Sequence, residues 1–244
     1  MNSWAIFIIV KFDSIERMEN LSVVIRYIKK NLSANVYIYE IGEAQNPFFS
    51  KYIADSCYYR FIEDFDPIFH RTYYINQAVN EIRDSIVAIW DADVIVPFSQ
   101  IKDAFTMVSN SVDFCYPYKN FFLDTTRELR RLFLKKENID LLMKYRDFMT
   151  PLYTPNPVGG VFVVNKKKYI ECGGEDENFY GWGMEDGERF LRWNSLGMSV
   201  HRINGPLFHL WHPRGVNSTI RTNDDSILKH REFFKSVRGQ LWKS

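Results

Sequence analysis

An apolar run from Ile86 to Val96 is interrupted by two aspartates, Asp91 and Asp93, that flank a single alanine. Such a run is typical of a buried strand in a sheet covered on both faces. Because an ionised carboxylate is not buried without a cation or a hydrogen-bonding partner, we expect the chain to leave the sheet at Trp90 and to present both aspartates at the strand's carboxyl end. Open α/β sheets bind ligands there, and two carboxylates suit a divalent metal that carries a phosphorylated ligand. The alternative is an ordinary turn, since aspartate is a common turn residue.

Length and composition indicate one cytoplasmic domain. The 244 residues include no linker-like segment, and 46% of them are hydrophobic, so a single large core is available. A net charge of +1 argues against a nucleic-acid binder that relies on a broad basic face. The three cysteines lie far apart in the sequence, which fits free thiols in a reducing compartment. The apolar start, Trp4 to Val10, is too short to span a bilayer and lacks a basic leader, so it predicts a first strand.

Strand and helix patterns alternate through residues 1–100, which we interpret as a nucleotide-binding half. Asp13 and Glu16 form a capping-box-like pair before the first helix. This alternation predicts an α/β fold with a mostly parallel central sheet and helices on both faces. The predicted strands are Trp4–Val10, Val36–Tyr39, Tyr58–Ile62 and the strand before Asp91, and the predicted helices are one with the apolar stripe Leu21, Val24, Ile25 and Ile28 and one at Phe69–Arg83.

The middle and the end of the chain have helical patterns. Residues 102–149 are interpreted as a helical insertion, in which the basic stretch Arg127–Met149 either lies over a cleft or packs on one edge of the sheet. Residues 224–244 have a basic amphipathic pattern that predicts a C-terminal helix. Packing against the domain is the default role of that helix, and contact with an anionic membrane face is the alternative.

Residues 150–215 combine glycine pairs, aromatic residues and carboxylates. A strand is predicted at Val161–Val164, directly after a Gly-Gly pair, and a helix at Glu188–Leu196. Glu185 and Asp186 lie at the entrance of that helix, where they either complement its dipole or belong to a sugar site. In a sugar site, the face of Trp182 would cover the apolar face of a pyranose while the carboxylates accept hydrogen bonds from its hydroxyls.

Two further strands are predicted at Ser199–Ile203 and Leu207–Trp211. The second contains His209, and His212 follows three residues later. A single histidine is often structural, whereas a pair at the end of an apolar run can close a metal site on one side. The sequence leaves both interpretations open.

Several of these motifs, in this order, resemble the carboxyl half of the β-1,4-galactosyltransferase family. They are Gly159-Gly160-Val161, Gly173-Gly174, Phe179-Tyr180-Gly181-Trp182-Gly183-Met184-Glu185-Asp186 and the His209/His212 pair. The N-acetylgalactosaminyltransferases share part of this pattern. The Asp91-Ala92-Asp93 strand and the segment Val10 to Arg17 resemble the amino half of the same nucleotide-sugar-binding fold, the GT-A fold. The resemblance implies a bacterial enzyme of capsule or surface-polysaccharide synthesis, in the cytoplasm or in peripheral contact with the inner membrane.

The resemblance further implies metal-dependent, inverting transfer of a hexose, galactose or N-acetylgalactosamine, from a UDP-sugar to a glycan or lipid-linked glycan. Asp93, His209 and His212 would ligate Mn²⁺ or another divalent cation, because mixed oxygen and imidazole ligation favours manganese over magnesium. Asp186 would be the general base. By the same resemblance, the donor would be bound by Phe12, Asp13, Arg17, Phe69, Arg71, Asp91 and Gly160, and the acceptor by Tyr180, Trp182, Glu185 and Asp186.

The sequence departs from the family pattern at Met184, where the animal enzymes have glycine, at Val10, where a proline is expected, and in the basic insertion. These departures leave the sugar specificity open. A retaining N-acetylgalactosaminyltransferase-like enzyme is one alternative. The others are a nucleotidyltransferase, although no glycine-rich phosphate loop follows the first strand, and a carbohydrate- or nucleotide-binding module without turnover.

Overall fold

The structure is a computed structural model that describes residues 3–53, 56–218 and 232. The described residues form the strands β1 (Trp4–Val10), β2 (Asn35–Gly42), β3 (Tyr58–Glu63), β4 (Ile86–Trp90), β5 (Val94–Ile95), β6 (Phe114–Tyr116), β7 (Asn120–Asp124), β8 (Thr150–Pro151), β9 (Val161–Asn165), β10 (Val200–Arg202) and β11 (Gly205–His209). The helices are α1 (Ile15–Asn31), α2 (Pro47–Ile53), α3 (Arg71–Glu81), α4 (Phe98–Asn110), α5 (Arg127–Lys136), α6 (Ile139–Lys144), α7 (Lys166–Glu171) and α8 (Glu185–Ser195), with 3-10 turns at Arg146–Phe148 and Val216–Ser218.

The central sheet has seven strands in the order β10-β6-β9-β4-β1-β2-β3. All neighbouring pairs are parallel except those of β9, which runs antiparallel to both β4 and β6. The predicted mostly parallel α/β sheet is therefore confirmed. The neighbouring strands β1 and β4 consist of apolar residues, and all of these except the half-buried Trp4 are buried. Burial on both faces of the sheet is what their uninterrupted apolar runs predicted.

The first helix packs on the sheet through the predicted stripe. Leu21, Val24, Ile25 and Ile28 are all buried, because residues three and four apart fall on one face of a helix. The prediction that Asp13 caps this helix is wrong. Ser14 is the N-cap, and its side-chain oxygen accepts a hydrogen bond from the backbone N–H of Arg17.

The chain leaves the sheet at Trp90, as predicted. The indole Nε1 of Trp90 donates to the carbonyl of Val94 at 2.8 Å and so closes a tight turn around the two aspartates. Directly after this turn, β5 pairs with β11 in a second sheet of order β5-β11-β7-β8. The sequence patterns did not predict this sheet, since its strands are short.

The interpretation of residues 102–149 as a helical insertion is wrong for residues 111–126, whereas residues 102–110 are the end of α4. After the end of α4, this stretch contributes β6 to the central sheet and β7 to the second sheet, and only residues 127–148 are helical. That helical part is broken into three short pieces. Its first helix lies against α1, where the buried Arg130 donates from Nε to Asn20 Oδ1 at 2.8 Å.

One prediction concerns the carboxyl end of the chain. The C-terminal helix proposed for residues 224–244 falls outside the described residues, apart from residue 232. Within the described part of the chain, every helix is too short or too polar to cross a bilayer.

We predict that Ser14→Ala lowers the free energy of unfolding by about 1 kcal/mol, because the helix loses the acceptor for one of its free N–H groups. Urea denaturation followed by circular dichroism measures this change. Ser14→Thr is the matched control, since threonine keeps the hydroxyl and should stay within a few tenths of a kcal/mol of the parent. An unchanged midpoint for the alanine variant would contradict the assignment of the cap.

Candidate functional site

Three buried side chains meet where the two sheets adjoin. One ligand atom from each of Asp93, His209 and His212 lies within 4.8 Å of the others. His212 Nε2 is 3.1 Å from Asp93 Oδ2, and His209 Nε2 is 3.6 Å from Asp93 Oδ1. The pairing of β5 with β11 produces this cluster, because it places His209 opposite Val94, the residue that follows Asp93.

The ring orientations of both histidines fit a metal site. The Nδ1 of His209 is 2.8 Å from Asp124 Oδ1, and the Nδ1 of His212 is 2.8 Å from the carbonyl oxygen of Pro213. A carbonyl and an ionised carboxylate only accept hydrogen bonds, so each Nδ1 carries the proton. Both Nε2 atoms face Asp93, and in the neutral rings these atoms carry the lone pairs. One carboxylate with two imidazoles is a donor set that suits Mn²⁺ or another divalent cation.

The charges around Asp93 keep it ionised. Burial alone would raise the pKa of its carboxyl, but His209, His212 and Arg17 together hold that pKa well below its usual range. Arg17 NH1 lies 3.8 Å from Asp93 Oδ2. Asp93 is thus available as an anionic ligand at any physiological pH.

Residues at the start of α5 and one residue of α1 contact the segment between His209 and His212. Thr125 Oγ1 accepts a hydrogen bond from the backbone N–H of Trp211 at 2.9 Å, and the guanidinium of Arg127 lies 4.1 Å from the centre of the Trp211 ring. Asn20 on α1 donates to the carbonyl of Leu210 at 2.8 Å. The segment interpreted as a helical insertion therefore contacts the chain between His209 and His212 through Thr125 and Arg127.

A cavity of about 460 Å³ opens beside this cluster. Most of the residues predicted for the site line it, namely Arg17, Phe69, Arg71, Asp91, Asp93, Gly160, Trp182, Glu185, Asp186, His209 and His212. Three residues predicted for the site, all in the described part of the chain, do not line the cavity: Phe12, Asp13 and Tyr180. Phe12 packs on Phe49 with ring centroids 5.0 Å apart, Asp13 accepts from Arg17 Nε at 3.0 Å, and the hydroxyl of Tyr180 donates to Asp66.

The wall of the cavity at β4 contains an ion pair and a glycine. Arg71 NH2 donates to Asp91 Oδ1 at 2.6 Å. Burial raises the pKa of the Asp91 carboxyl, although the charge of Arg71 opposes the rise. Gly160 has φ +82°, and a Cβ there would lie 2.9 Å from Leu207 and Phe122 side-chain atoms, so only glycine fits.

Another part of the cavity wall is the first turn of α8, where Asp186 lies. Its side chain is 31% exposed, and Oδ1 accepts a hydrogen bond from Arg189 NH2. A Cβ on Gly159 would lie 2.5 Å from Asp186 Oδ2, so the glycine keeps that oxygen clear. The prediction that Glu185 and Asp186 stand at the entrance of the helix is confirmed.

Glu185, next to Asp186, is buried and has a perturbed acidity. Burial, and next the charge of Asp186, raise the pKa of its carboxyl to about 7. Glu185 Oε2 accepts from the backbone N–H of Gly183 at 2.8 Å. The cavity therefore contains one carboxyl that titrates near neutral pH beside one that is tied to a guanidinium, an arrangement common at functional sites.

Sequence reasoning missed several residues of the site. Asp124 and Arg189 act through the predicted residues, whereas Tyr153, Arg214 and Asn217 line the cavity directly. Arg189 follows Asp186 by three positions on a helix, and this spacing was a usable signal. Asp124 lies 85 residues before His209, so nothing local in the sequence marks their contact.

The fold is that of the GT-A glycosyltransferases. A Drosophila β-1,4-galactosyltransferase 7 variant crystallised with manganese, UDP-Gal and xylobiose superposes with a TM-score of 0.59 at 15% identity, over 96% of this chain and 79% of that chain. A GalNAc-T7 structure with UDP, GalNAc and Mn²⁺ gives 0.60 at 11% identity, over 90% and 46%. Glucosyl-3-phosphoglycerate synthase from Mycobacterium tuberculosis, with Mn²⁺, UDP and phosphoglyceric acid, gives 0.54 at 12% identity, over 87% and 72%.

The sequence comparisons give local similarity to galactosyltransferases. The model of a family described as the N-terminal domain of galactosyltransferase matches residues 140–213. β-1,4-Galactosyltransferase 7 of Drosophila melanogaster is 30% identical over 76 residues, which are 27% of this chain and 24% of that protein. The Homo sapiens and Mus musculus proteins of the same name are 38% identical over 48 residues, 20% of this chain and 15% of theirs. The chain thus matches a quarter or less of the length of these curated relatives.

We predict that Asp124→Asn weakens Mn²⁺ binding about 10- to 100-fold, because His209 loses the anionic partner that orients its ring and raises its basicity. Isothermal titration calorimetry with Mn²⁺ measures the change. Asp147→Asn, an exposed aspartate on the 3-10 turn, is the matched control and should bind like the parent. Equal affinity in the Asp124 variant would exclude Asp124 from the metal site.

We predict that Glu185→Gln stabilises the protein at pH 8.5 and not at pH 4. The raised pKa of Glu185 means that folding favours its protonated form, so the parent loses stability as the pH rises from about 4.5, the ordinary pKa of the group, to about 7. Glutamine does not ionise and can still accept from Gly183. Its advantage at pH 8.5 is on the order of 3 kcal/mol, measured by thermal or urea denaturation at both values. The same difference at pH 4 and pH 8.5 would refute the explanation.

Proposed function

We propose that this protein is a metal-dependent, inverting glycosyltransferase that moves a hexose, galactose or N-acetylgalactosamine, from a UDP-sugar to a glycan acceptor. One observation carries the proposal: the cluster of Asp93, His209 and His212 and the carboxylate of Asp186 open into the same cavity. The similarity of residues 140–213 to a galactosyltransferase family supports it. So does the fold that the chain shares with a β-1,4-galactosyltransferase 7 crystallised with manganese, UDP-Gal and xylobiose.

At the donor end, Asp93, His209 and His212 would hold the divalent cation. Such a cation, when bound, neutralises the negative charge that develops on the departing diphosphate. Arg17 borders this cluster, and Arg71 is oriented by Asp91. We assign Arg17 and Arg71 to the binding of the nucleotide and the donor sugar. The same role is assigned to Phe69, Asp91 and Gly160.

At the acceptor end, Asp186 takes the proton of the attacking hydroxyl, because an alcohol is a poor nucleophile until it is deprotonated. The acceptor oxygen bonds to the anomeric carbon on the face opposite the diphosphate. The bond from that carbon to the diphosphate oxygen breaks, UDP leaves with the electron pair, and the configuration inverts. Trp182 covers the apolar face of the acceptor sugar, and Glu185 hydrogen-bonds to its hydroxyls.

A retaining N-acetylgalactosaminyltransferase is the second candidate, and the TM-score of 0.60 with GalNAc-T7 favours it. The anomeric configuration of the product, read from the proton coupling constants in NMR spectra, separates the two. Bacterial surface-polysaccharide synthesis, a lipid-linked acceptor and contact with the inner membrane stay predictions from the sequence.

The test of the proposed function is a panel of UDP-sugars with and without Mn²⁺. Metal-dependent release of UDP from one sugar, raised by an added glycan acceptor, is the expected result. Thermal stabilisation by UDP without any turnover would instead favour a binding module. Release of pyrophosphate from a sugar phosphate and UTP would favour a nucleotidyltransferase.

We predict that Asp186→Asn lowers kcat by about 10²- to 10⁴-fold, the usual contribution of a general base, while Mn²⁺-dependent binding of UDP is kept. Asp93→Ala is the contrasting variant and should lose that binding, because it removes the anionic metal ligand. Transfer assays and calorimetry with UDP and Mn²⁺ measure the two effects. An Asp186 variant that loses UDP binding as well would argue against its role as the base.

A further inference from the structure

Behind Asp186 lies an ion pair that is fully withdrawn from water. The side chains of Arg189 and Glu175 are both 0% exposed, and Arg189 NH1 donates to the two carboxylate oxygens of Glu175 at 3.0 and 2.8 Å. The guanidinium also lies 3.9 Å from the centre of the Phe162 ring. Arg189 is therefore held on one edge by a carboxylate and on one face by an aromatic ring.

Glu175 is itself held rigidly. Its Oε1 accepts from the hydroxyl of Tyr169 at 2.7 Å. Its backbone N–H donates to Asn76 Oδ1 at 2.8 Å, and its carbonyl accepts from Asn76 Nδ2 at 3.0 Å. Gly174, just before it, has φ +62°, and a Cβ there would lie 2.4 Å from Asn76 Oδ1. Glycine is required at position 174 so that Asn76 can hydrogen-bond to the backbone of Glu175.

A buried ion pair is a costly way to fill a core, because each ion loses several kcal/mol of hydration and apolar residues of similar volume often stabilise as well or better. What distinguishes this pair is the part of the guanidinium that does not contact Glu175. The second terminal nitrogen of Arg189, NH2, points toward the cavity wall, where it donates to Asp186 Oδ1 and lies 3.4 Å from the carbonyl oxygen of Val158. The pair thus connects the rigid core to one carboxylate that is exposed to the cavity.

We propose that the Glu175–Arg189 pair positions Asp186 for proton transfer, by holding Oδ1 so that Oδ2 is the atom that receives the proton of the acceptor hydroxyl. Gly159 serves the same end, because a side chain there would meet Oδ2 at 2.5 Å. The inference rests on the proposed function. Arg189 and Glu175 are positioning residues, since they act through Asp186 and do not reach the cavity themselves.

Arg189 also places a positive charge beside the Asp186 carboxylate, the group that accepts the proton in the proposed reaction. Other charged and titratable groups act on the same carboxylate, so the pH dependence must be measured against the parent. They are Glu185 on the same helix, Arg71 and Asp91 across the cavity, and the hydroxyls of Tyr116, Tyr118 and Tyr153.

The test replaces both charges together, in the double variant Glu175→Leu/Arg189→Met, because removing only one partner leaves an uncompensated charge in the core. We expect the thermal midpoint and Mn²⁺-dependent UDP binding to stay near the parent values. We expect kcat to fall about 100-fold, as for other misplaced catalytic groups. The acid limb of the pH–rate profile should move to higher pH, because the guanidinium that donates to the Asp186 carboxylate is gone.

The matched control is Lys168→Gln/Glu171→Gln. This exposed ion pair lies on α7, with Lys168 Nζ 3.2 Å from Glu171 Oε2, and neither residue contacts Asp186 in the described part of the chain. Its pH–rate profile should follow that of the parent. Arg189→Lys covers the case in which the double variant does not fold, since lysine keeps the charge without the two-pronged geometry. It should lower kcat while the acid limb stays in place.

Two results would overturn the inference. One is an unchanged kcat and acid limb in a folded double variant of an active parent. The other is a drop in kcat with no movement of the acid limb, which a general loss of structure would produce. If the parent transfers no sugar, the proposed function fails, and the positioning is then judged from the Asp186 carboxyl carbon by NMR titration. A protonation midpoint that is the same in parent and double variant would refute it.

Discussion

Asp93 is a carboxylate that the fold buries, and the surrounding structure is built to compensate its charge. An isolated ion would not be stable there. The compensation comes from Arg17 at the start of α1 and from His209 and His212 at the end of β11. Because these groups belong to remote parts of the sequence, the pairing of β5 with β11 is the tertiary contact on which the candidate metal site depends. The backbone N–H of Leu210 donates to the carbonyl of Asp93 at 2.7 Å and fixes the two strands at this point.

The two ends of the cavity use charge in different ways. At the proposed donor end, two imidazoles and a carboxylate leave room for one added cation, and the rings are oriented by Asp124 and the carbonyl of Pro213. At the acceptor end, the cation is already part of the protein, since Arg189 pairs with Asp186 and Glu175. A soluble ion can leave and be exchanged, whereas a fully buried guanidinium cannot. The arrangement separates a replaceable Lewis acid from a permanent partner of the proposed base.

Similarity in sequence and similarity in fold cover different parts of this site. The matched family segment, residues 140–213, includes Asp186 and both histidines, but Asp93 and Asp124 lie before it. Fold similarity extends over 96% of the chain at 15% identity. Residues 120–130 lie between Asp93 and the matched segment. In this region Asp124 contacts His209, Thr125 and Arg127 contact Trp211, and Arg130 contacts α1. A stretch that resembles an insertion therefore supports the metal ligands.

From the sequence alone, one could predict the buried strand that ends at Trp90, the apolar stripe of α1, the alternation that makes a mostly parallel sheet, and the presence of Asp93, His209, His212 and Asp186 at a site. The strand, the stripe and the sheet follow from burial periods, and Asp93 follows from a side chain too polar to be buried unpaired, all of which are written in adjacent residues. The assignment of His209, His212 and Asp186 to the site comes from the resemblance to the galactosyltransferase family. Only the tertiary structure decided that Asp124 orients His209 and that Glu175 and Arg189 stand behind Asp186. It also decided that Ser14 rather than Asp13 caps α1. Such partners depend on strand register and on the packing of distant elements, and neither leaves a periodic trace in the chain.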